Sequence, residues 1–224
     1  MRIYLDKTIS TNLVAKEKAA DLPHGSVIFA EEQTGGRGRF ERGFYSPPKT
    51  GIYMSVILRA VANSALLTPA AAVAVCRAVS ALTGKNPQIK WVNDILLGNK
   101  KICGILSETV GDAYIVGIGI NFTTDFSDQP ELNAASVFNV GEAPTCTREE
   151  LSERVIDELL GLCGRTDFLD EYRALSCLIG EKISYMQNNE KFFGTATGID
   201  DAGRLIVNET ITLCSGEVML IRAE

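Results

Sequence analysis

Lys90-Trp91-Val92-Asn93-Asp94-Ile95-Leu96-Leu97-Gly98-Asn99-Lys100-Lys101-Ile102-Cys103-Gly104-Ile105-Leu106 is the run that decides the fold. Its apolar halves meet across Gly98-Asn99, a pair suited to a tight reversal. Downstream, Gly111-Asp112 offers a second reversal before residues 114–121. Strands are therefore predicted at 89–91, 95–97, 101–108 and 114–121, consecutive and antiparallel. If residues 90–94 run extended, alternation places Lys90, Val92 and Asp94 on one face, and Trp91 and Asn93 on the other. A lone lysine at a hairpin start is ordinarily a solvated charge. Gly104, three residues beyond Lys101, instead leaves room for something to approach the sheet there.

Upstream of the meander, residues 3–5, 27–30 and 52–58 read as strands. Ser10-Thr11-Asn12 offers capping side chains for a helix over 13–20. An alanine-rich helix opens near Thr68-Pro69, with Thr as cap and Pro as a tolerated first residue. Residues 122–146 lack periodicity and read as irregular. The spacing of Thr147 to Glu150 matches a capping box, and Leu151, Val155, Leu159 and Leu162 recur at helical intervals. A further helix is predicted over 167–175. After Gly180 the pattern changes to short strands punctuated by Asn188-Asn189, residues 200–203, residues 208–210 and Ser215-Gly216. The fold class is thus α+β: a mixed sheet backed by helices over residues 1–178, then a small β-barrel-like module over residues 179–224.

At 224 residues and 46% hydrophobic, the chain can bury one substantial core with a small unit attached. A net charge of -6 argues against a broad nucleic-acid footprint, so no nucleic-acid partner is expected. Met1-Arg2-Ile3-Tyr4-Leu5-Asp6 has no secretory pattern, which predicts a cytoplasmic protein. The apolar stretch 67–82 is interrupted by Arg77 and reads as too short for a bilayer, hence as a core helix. Six cysteines without CxxC pairing suit reduced core thiols, and a single histidine, His24, rules out a histidine-rich metal site, so no protein-held metal is expected.

Gly35-Gly36-Arg37-Gly38-Arg39 puts two guanidinium groups on a backbone stripped of bulk, a grip for an anion. Read alone, it is equally a flexible surface turn with solvated arginines.

Taken in order, Ile9-Ser10-Thr11-Asn12, the 33–39 run beginning Gln33-Thr34, Phe44-Tyr45-Ser46-Pro47-Pro48 with the strand after it, the 90–106 run and Gly117-Ile118-Gly119-Ile120-Asn121-Phe122 stand at matched intervals. In that ordered set the chain resembles the biotin protein ligases, also called biotin–acetyl-CoA-carboxylase ligases, over nearly its whole length. Its C-terminal β segment looks like that family's small SH3-like domain. The resemblance implies ATP-dependent activation of biotin to biotinyl-5′-adenylate, with Mg²⁺, then transfer to a lysine of the biotin carboxyl carrier protein domain of a biotin-dependent carboxylase. It also implies roles. Ser10, Thr11, Asn12 and Gln33 match positions lining the biotin ureido end. Arg37, Gly38 and Arg39 match the ligand-binding loop, and Lys101 the lysine beside the reacting carboxylate and phosphate. Biotin would thus meet Ser10, Thr11, Asn12, Gln33, Arg37, Gly38, Arg39 and Lys101. ATP would meet Arg37, Arg39, Phe44, Asn93, Lys101 and Asn121, with Arg37 and Lys101 carrying catalysis.

Two positions depart from the family pattern. Phe44 stands where many members have Trp, which bears on a pocket-wall or adenine-stacking role, and Val92 stands where many have Pro, which bears on local rigidity. Some members add an N-terminal helix-turn-helix domain and act as repressors; with Ile9-Ser10-Thr11-Asn12 so near Met1, the expectation is a stand-alone ligase. Edge strands could pair two copies in a homodimer. The rivals are a lipoate or octanoyl protein ligase of the same fold, separable by labelled biotin against labelled lipoate, and a non-catalytic biotin-binding module, which would dispense with Arg37, Arg39 and Lys101.

Overall fold

Apolar, β-branched runs bounded by Gly, Asn and Asp become strands, and the alanine-rich run becomes a helix. The computed structural model describes residues 1–187 and 190–221. In chain order the elements are β1 (Arg2–Leu5), α1 (Thr11–Lys18), β2 (Ser26–Ala30), β3 (Gly51–Arg59), α2 (Leu67–Thr83), β4 (Gln88–Lys90), β5 (Asp94–Leu97), β6 (Lys100–Val110) and β7 (Ala113–Asn121). After an irregular stretch come α3 (Arg148–Leu162), α4 (Leu169–Ala174), β8 (Lys182–Gln187), β9 (Glu190–Ile199), β10 (Leu205–Val207), β11 (Ile211–Leu213) and β12 (Val218–Leu220). Among the described residues, a seven-stranded sheet runs β1-β2-β3-β7-β6-β5-β4, and a five-stranded sheet runs β11-β10-β9-β8-β12. β1 and β2 pair in parallel, and β4 to β7 form the antiparallel meander that the two glycine reversals predict. The predicted turn at Asn188-Asn189 lies outside the described residues.

One sheet face carries the main core. Val116, Ile118 and Ile120 of β7 and Ile102 and Ile105 of β6 are buried there with Ala71, Val75 and Val79 of α2. Leu151, Val155, Leu159 and Leu162 of α3 join the same cluster, as their helical spacing requires. So do Ile183, Tyr185, Leu205 and Val218 of the second sheet, which makes the apolar interior continuous between the two sheets. On the opposite face α1 sets Ala15 and Ala19 against Ile28, Ile57 and Ile115. That helix covers part of the face, and the rest is open to the cavity described below.

α3 begins with a complete capping box: Thr147 accepts from the Glu150 backbone N–H, and Glu150 accepts from the Thr147 backbone N–H at 2.7 Å. Thr147→Ala is expected to cost about 1 kcal/mol and to lower the melting temperature by about 2 to 4 °C, read by thermal unfolding.

Local structure corrects four expectations. Residues 90–94 do not form one extended run: β4 ends at Lys90, β5 starts at Asp94, and the two residues sit opposite each other across a turn containing a cis Trp91–Val92 peptide. Asn93 and Asp94 therefore approach the same cavity. The Ser10, Thr11 and Asn12 side chains do not cap α1, whose N-cap Ser10 makes no side-chain cap bond, because Thr11 and Asn12 bond across to other elements. Thr68 does not cap α2 either; it lies inside the first turn and donates to Ser107 Oγ at 2.9 Å. Finally, with the 3₁₀ turn before it, the apolar helical run spans Ser64–Thr83, 20 residues that include an 18-residue stretch of mean hydropathy 1.8, so its length does not rule out a bilayer. Its packing against the sheet, α3 and α4 is what identifies it as a core helix.

Candidate active site

The run Gly117-Ile118-Gly119-Ile120-Asn121 explains the cavity through period-two alternation. Its isoleucines enter the core, so its glycines face the other way. Register places Gly119 opposite Gly104 of β6 and Tyr53 of β3, and Gly117 opposite Leu106 and Ser55. The result is a floor without side chains at Gly104, Gly117 and Gly119. Onto it folds the ring of Phe44: a Cβ built on Gly119 would stand 2.6 Å from that ring, and one on Gly104 3.2 Å. Phe44 also meets Tyr53 edge-on, with centroids 6.5 Å apart.

One wall is polar and built from the start of α1. Gln33 Oε1 accepts from the Thr11 backbone N–H at 2.9 Å and lies 3.2 Å from Thr11 Oγ1. Gln33 Nε2 donates to Ser46 Oγ at 3.0 Å, and Ser46 in turn donates to the Phe44 carbonyl at 2.9 Å. The wall and the ring on the floor are thus parts of one hydrogen-bonded unit. Ser55, fully buried in β3, reaches Thr11 Oγ1 at 2.8 Å and Asn12 Oδ1 at 2.5 Å. Asn12 Nδ2 donates to Glu108 Oε2 at 2.8 Å and to the Leu106 carbonyl at 3.3 Å.

The far wall is charged. Lys101 Nζ pairs with Asp94 Oδ1 at 2.7 Å and lies 5.9 Å from the centre of the Phe44 ring. Asn93 Nδ2 donates to the same Asp94 oxygen at 3.2 Å, and Asn93 Oδ1 accepts from Arg39 at 3.3 Å. Two side chains therefore connect the Lys101 ammonium to the Arg39 guanidinium. Burial lowers the pKa of Arg39, and Asp94 pulls it back up, so its charge stands in a poorly hydrated place where an anion is a strong partner. The same loop reaches the second sheet: Arg42 pairs with Glu217 at 2.6 Å, and Arg39 points a guanidinium nitrogen toward the Gly216 carbonyl at 3.5 Å.

Ser10, Thr11, Asn12, Gln33, Arg37, Gly38, Arg39, Phe44, Asn93 and Lys101 all line this one cavity. Asn121 is set apart. It is buried, and its amide donates to the carbonyls of Lys101 at 3.2 Å and Ala135 at 2.9 Å, which ties the Lys101 strand to the segment beyond β7. Asp94 lines the cavity, and Ser55, Glu108 and Ser46 stand behind its polar wall; the sequence reading does not single these four out as candidates. Ser55 carried a signal, being the polar interruption of the apolar run 52–58, and so did Glu108, two residues past Leu106 on the face of Gly104.

Comparison with known proteins identifies the family of the chain. The Biotin/lipoate A/B protein ligase family matches residues 3–125, and the Biotin protein ligase C terminal domain matches residues 178–220. The bifunctional ligase/repressor BirA of Bacillus subtilis is 32% identical over 225 residues, covering 92% of this chain and 68% of the relative. The biotin–[acetyl-CoA-carboxylase] ligase of Mycobacterium tuberculosis is 30% identical, covering 96% of this chain and 87% of the relative. Among solved structures, the biotin protein ligase from Aquifex aeolicus in complex with biotin and ATP superposes with a TM-score of 0.83 at 25% identity, covering 99% of each chain.

Proposed function

The chain belongs to the biotin/lipoate A/B protein ligase family, and we propose, on that premise, that its cavity joins biotin to ATP and passes the biotinyl group to a lysine of an acetyl-CoA carboxylase carrier domain. The observation that carries this reading is the pairing of two unlike walls over one glycine floor: hydroxyls and amides at Thr11, Asn12 and Gln33, and cations at Arg39 and Lys101.

Adenylate formation brings a carboxylate to an already anionic α-phosphate, so like-charge repulsion dominates the barrier. A carboxylate oxygen bonds to the α-phosphorus, the bond from that phosphorus to the bridging oxygen breaks, and pyrophosphate leaves. The Lys101 ammonium, a compact charge, stands between carboxylate and phosphate, while Arg37 and Arg39 fork around phosphate oxygens. Ser10, Thr11, Asn12 and Gln33 hold the ureido end, Phe44 forms the wall beside the nucleotide, and Asn93 keeps Arg39 in place. Asn121 acts from behind, by holding the Lys101 strand.

The donor set fits a magnesium ion that enters on the triphosphate, since such ions keep several waters and use one or two carboxylates. Glu217, whose partner Arg42 is exposed, is a carboxylate on the cavity wall; Asp94 is already held by Lys101. The ion would neutralise the departing pyrophosphate. Among the described residues no cluster of three His, Cys, Asp or Glu side chains forms a protein-held cage.

In the second step the carrier lysine's amine attacks the anhydride carbonyl carbon and AMP leaves, so the chain itself needs no nucleophile. Mixing the protein with biotin, Mg·ATP and an acetyl-CoA carboxylase carrier domain is expected to add one biotinyl group to the carrier, read by intact mass. An unmodified carrier, or one modified only when lipoate replaces biotin, rejects the reading.

A further inference from the structure

We infer that Glu108 is a positioning residue that sets the hydrogen-bond polarity of the biotin-facing wall through Asn12 and Ser55, an inference that rests on the function proposed above. Glu108 sits behind the wall, outside the cavity lining. Its Oε1 pairs with Lys16 and its Oε2 accepts from Asn12. A carboxylate offers only acceptors, so the Asn12 edge turned toward it must be the amide nitrogen. The Leu106 carbonyl, 3.3 Å from the same nitrogen, enforces the same choice. Asn12 Oδ1 is then turned to Ser55 at 2.5 Å, where the only hydrogen available between the two oxygens belongs to Ser55.

A hydroxyl has one hydrogen. Once the hydrogen of Ser55 lies on Asn12 Oδ1, the 2.8 Å contact between Ser55 and Thr11 is donated by Thr11, whose one hydrogen is then withdrawn from the longer 3.2 Å contact with Gln33 Oε1, while Gln33 Oε1 keeps its bond from the Thr11 backbone N–H. Thr11 Oγ1 thereby keeps its lone pairs for the cavity side, and the wall presents an acceptor suited to an N–H of the ureido ring. Turning the Asn12 amide over reverses every link: its nitrogen donates to Ser55, Ser55 donates to Thr11 and occupies one of its lone pairs, and Thr11 gives its own hydrogen to Gln33 Oε1. The setting is protected on its remaining side by Gly117, where any Cβ would stand 2.2 Å from Asn12 Oδ1.

The distinctive consequence concerns Glu108→Gln, which conserves shape. Lys16 demands an oxygen, so the introduced amide gives its oxygen to Lys16 and its nitrogen to Asn12, which favours the reversed setting. Biotin binding, measured directly by calorimetry without ATP, is expected to weaken about tenfold, a loss of about 1.4 kcal/mol, with ATP affinity within threefold of wild type. Adding Lys16→Met frees the introduced amide to turn, and is expected to restore biotin affinity to within threefold. Ser55→Ala cuts the relay, so Ser55→Ala with Glu108→Gln is expected to be no weaker than Ser55→Ala alone, although the two side chains do not touch.

Wild-type biotin affinity in Glu108→Gln, no recovery on adding Lys16→Met, or losses from Ser55→Ala and Glu108→Gln that multiply would each overturn the inference. A wild-type protein that fails to bind biotin rejects the functional reading instead. Melting temperatures taken alongside separate a folding defect from a polarity change, since Glu108→Gln keeps the side chain's volume.

Discussion

Lys101→Ala is expected to slow biotin-dependent pyrophosphate release by at least about a hundredfold to a thousandfold, the usual cost of about 3 to 4 kcal/mol for losing one preorganised donor at a developing charge. Two features push the loss toward the upper end. Asp94 is 2.7 Å from Lys101 Nζ, so truncation leaves a carboxylate on the wall where two anionic reactants must already meet. The ammonium also lies 5.9 Å from the Phe44 ring centre, and its removal opens space beside that ring on the glycine floor. Lys101→Ala with Asp94→Asn is therefore expected to recover part of the lost rate, because the second change removes the unpaired charge. Lys101→Arg is expected to rescue poorly, since a planar fork is a bulkier group than the point charge it replaces, and Gly104 holds the present side chain at 3.1 Å from where a Cβ would stand. Single-turnover formation of adenylate separates this from weak binding. Near-normal pyrophosphate release by Lys101→Ala would remove Lys101 from the centre of the chemistry.

The sequence disclosed the parts of this site that depend on local pattern. Glycine reversals announced the β4–β7 meander, Gly104 announced room for something to approach the sheet beside Lys101, and the capping box announced the start of α3. It did not disclose parts that depend on cross-strand register. Ser55 and Glu108 are far apart in the chain, and they serve one wall only because Ser55 lies opposite Gly117 while Leu106 lies opposite Gly117 from the other side. Asp94 was hidden for a different reason. Alternation through residues 90–94 separates Asp94 from Asn93, whereas the turn after Lys90 brings both to Arg39 and Lys101. The capping expectation at Ser10-Thr11-Asn12 failed because Gln33, Ser55 and Glu108 compete for the same side chains and, once the sheet forms, hold them. Residues whose local role looked sufficient were thus claimed by longer-range partners, as occurs where function overrides local preference.

Gly117→Ala is expected to weaken biotin binding by at least about a hundredfold, a loss of about 2.7 kcal/mol, and to cost about 1 to 3 kcal/mol of stability through overpacking. The new methyl would stand 2.2 Å from Asn12 Oδ1, 2.8 Å from its Cγ and 2.9 Å from its Nδ2. Asn12 has nowhere to retreat, because it is buried and held by Glu108, Leu106 and Ser55. The strain must therefore move the start of α1, and with it Thr11 and its bonds to Gln33. Gly119→Ala provides the contrast. Its obstacle is the Phe44 ring, at 2.6 Å, on the arginine loop and not in the sheet. That ring can swing outward, so Gly119→Ala is expected to keep its melting temperature close to wild type and to expose the bonds after Arg37 and Arg39 to faster trypsin cleavage. Calorimetry with biotin, thermal melts and a trypsin time course distinguish the two variants. If Gly117→Ala binds biotin within threefold of wild type, Asn12 is not a fixed part of the wall; if Gly119→Ala is cleaved no faster than wild type, the ring on the glycine floor is not what holds the loop down.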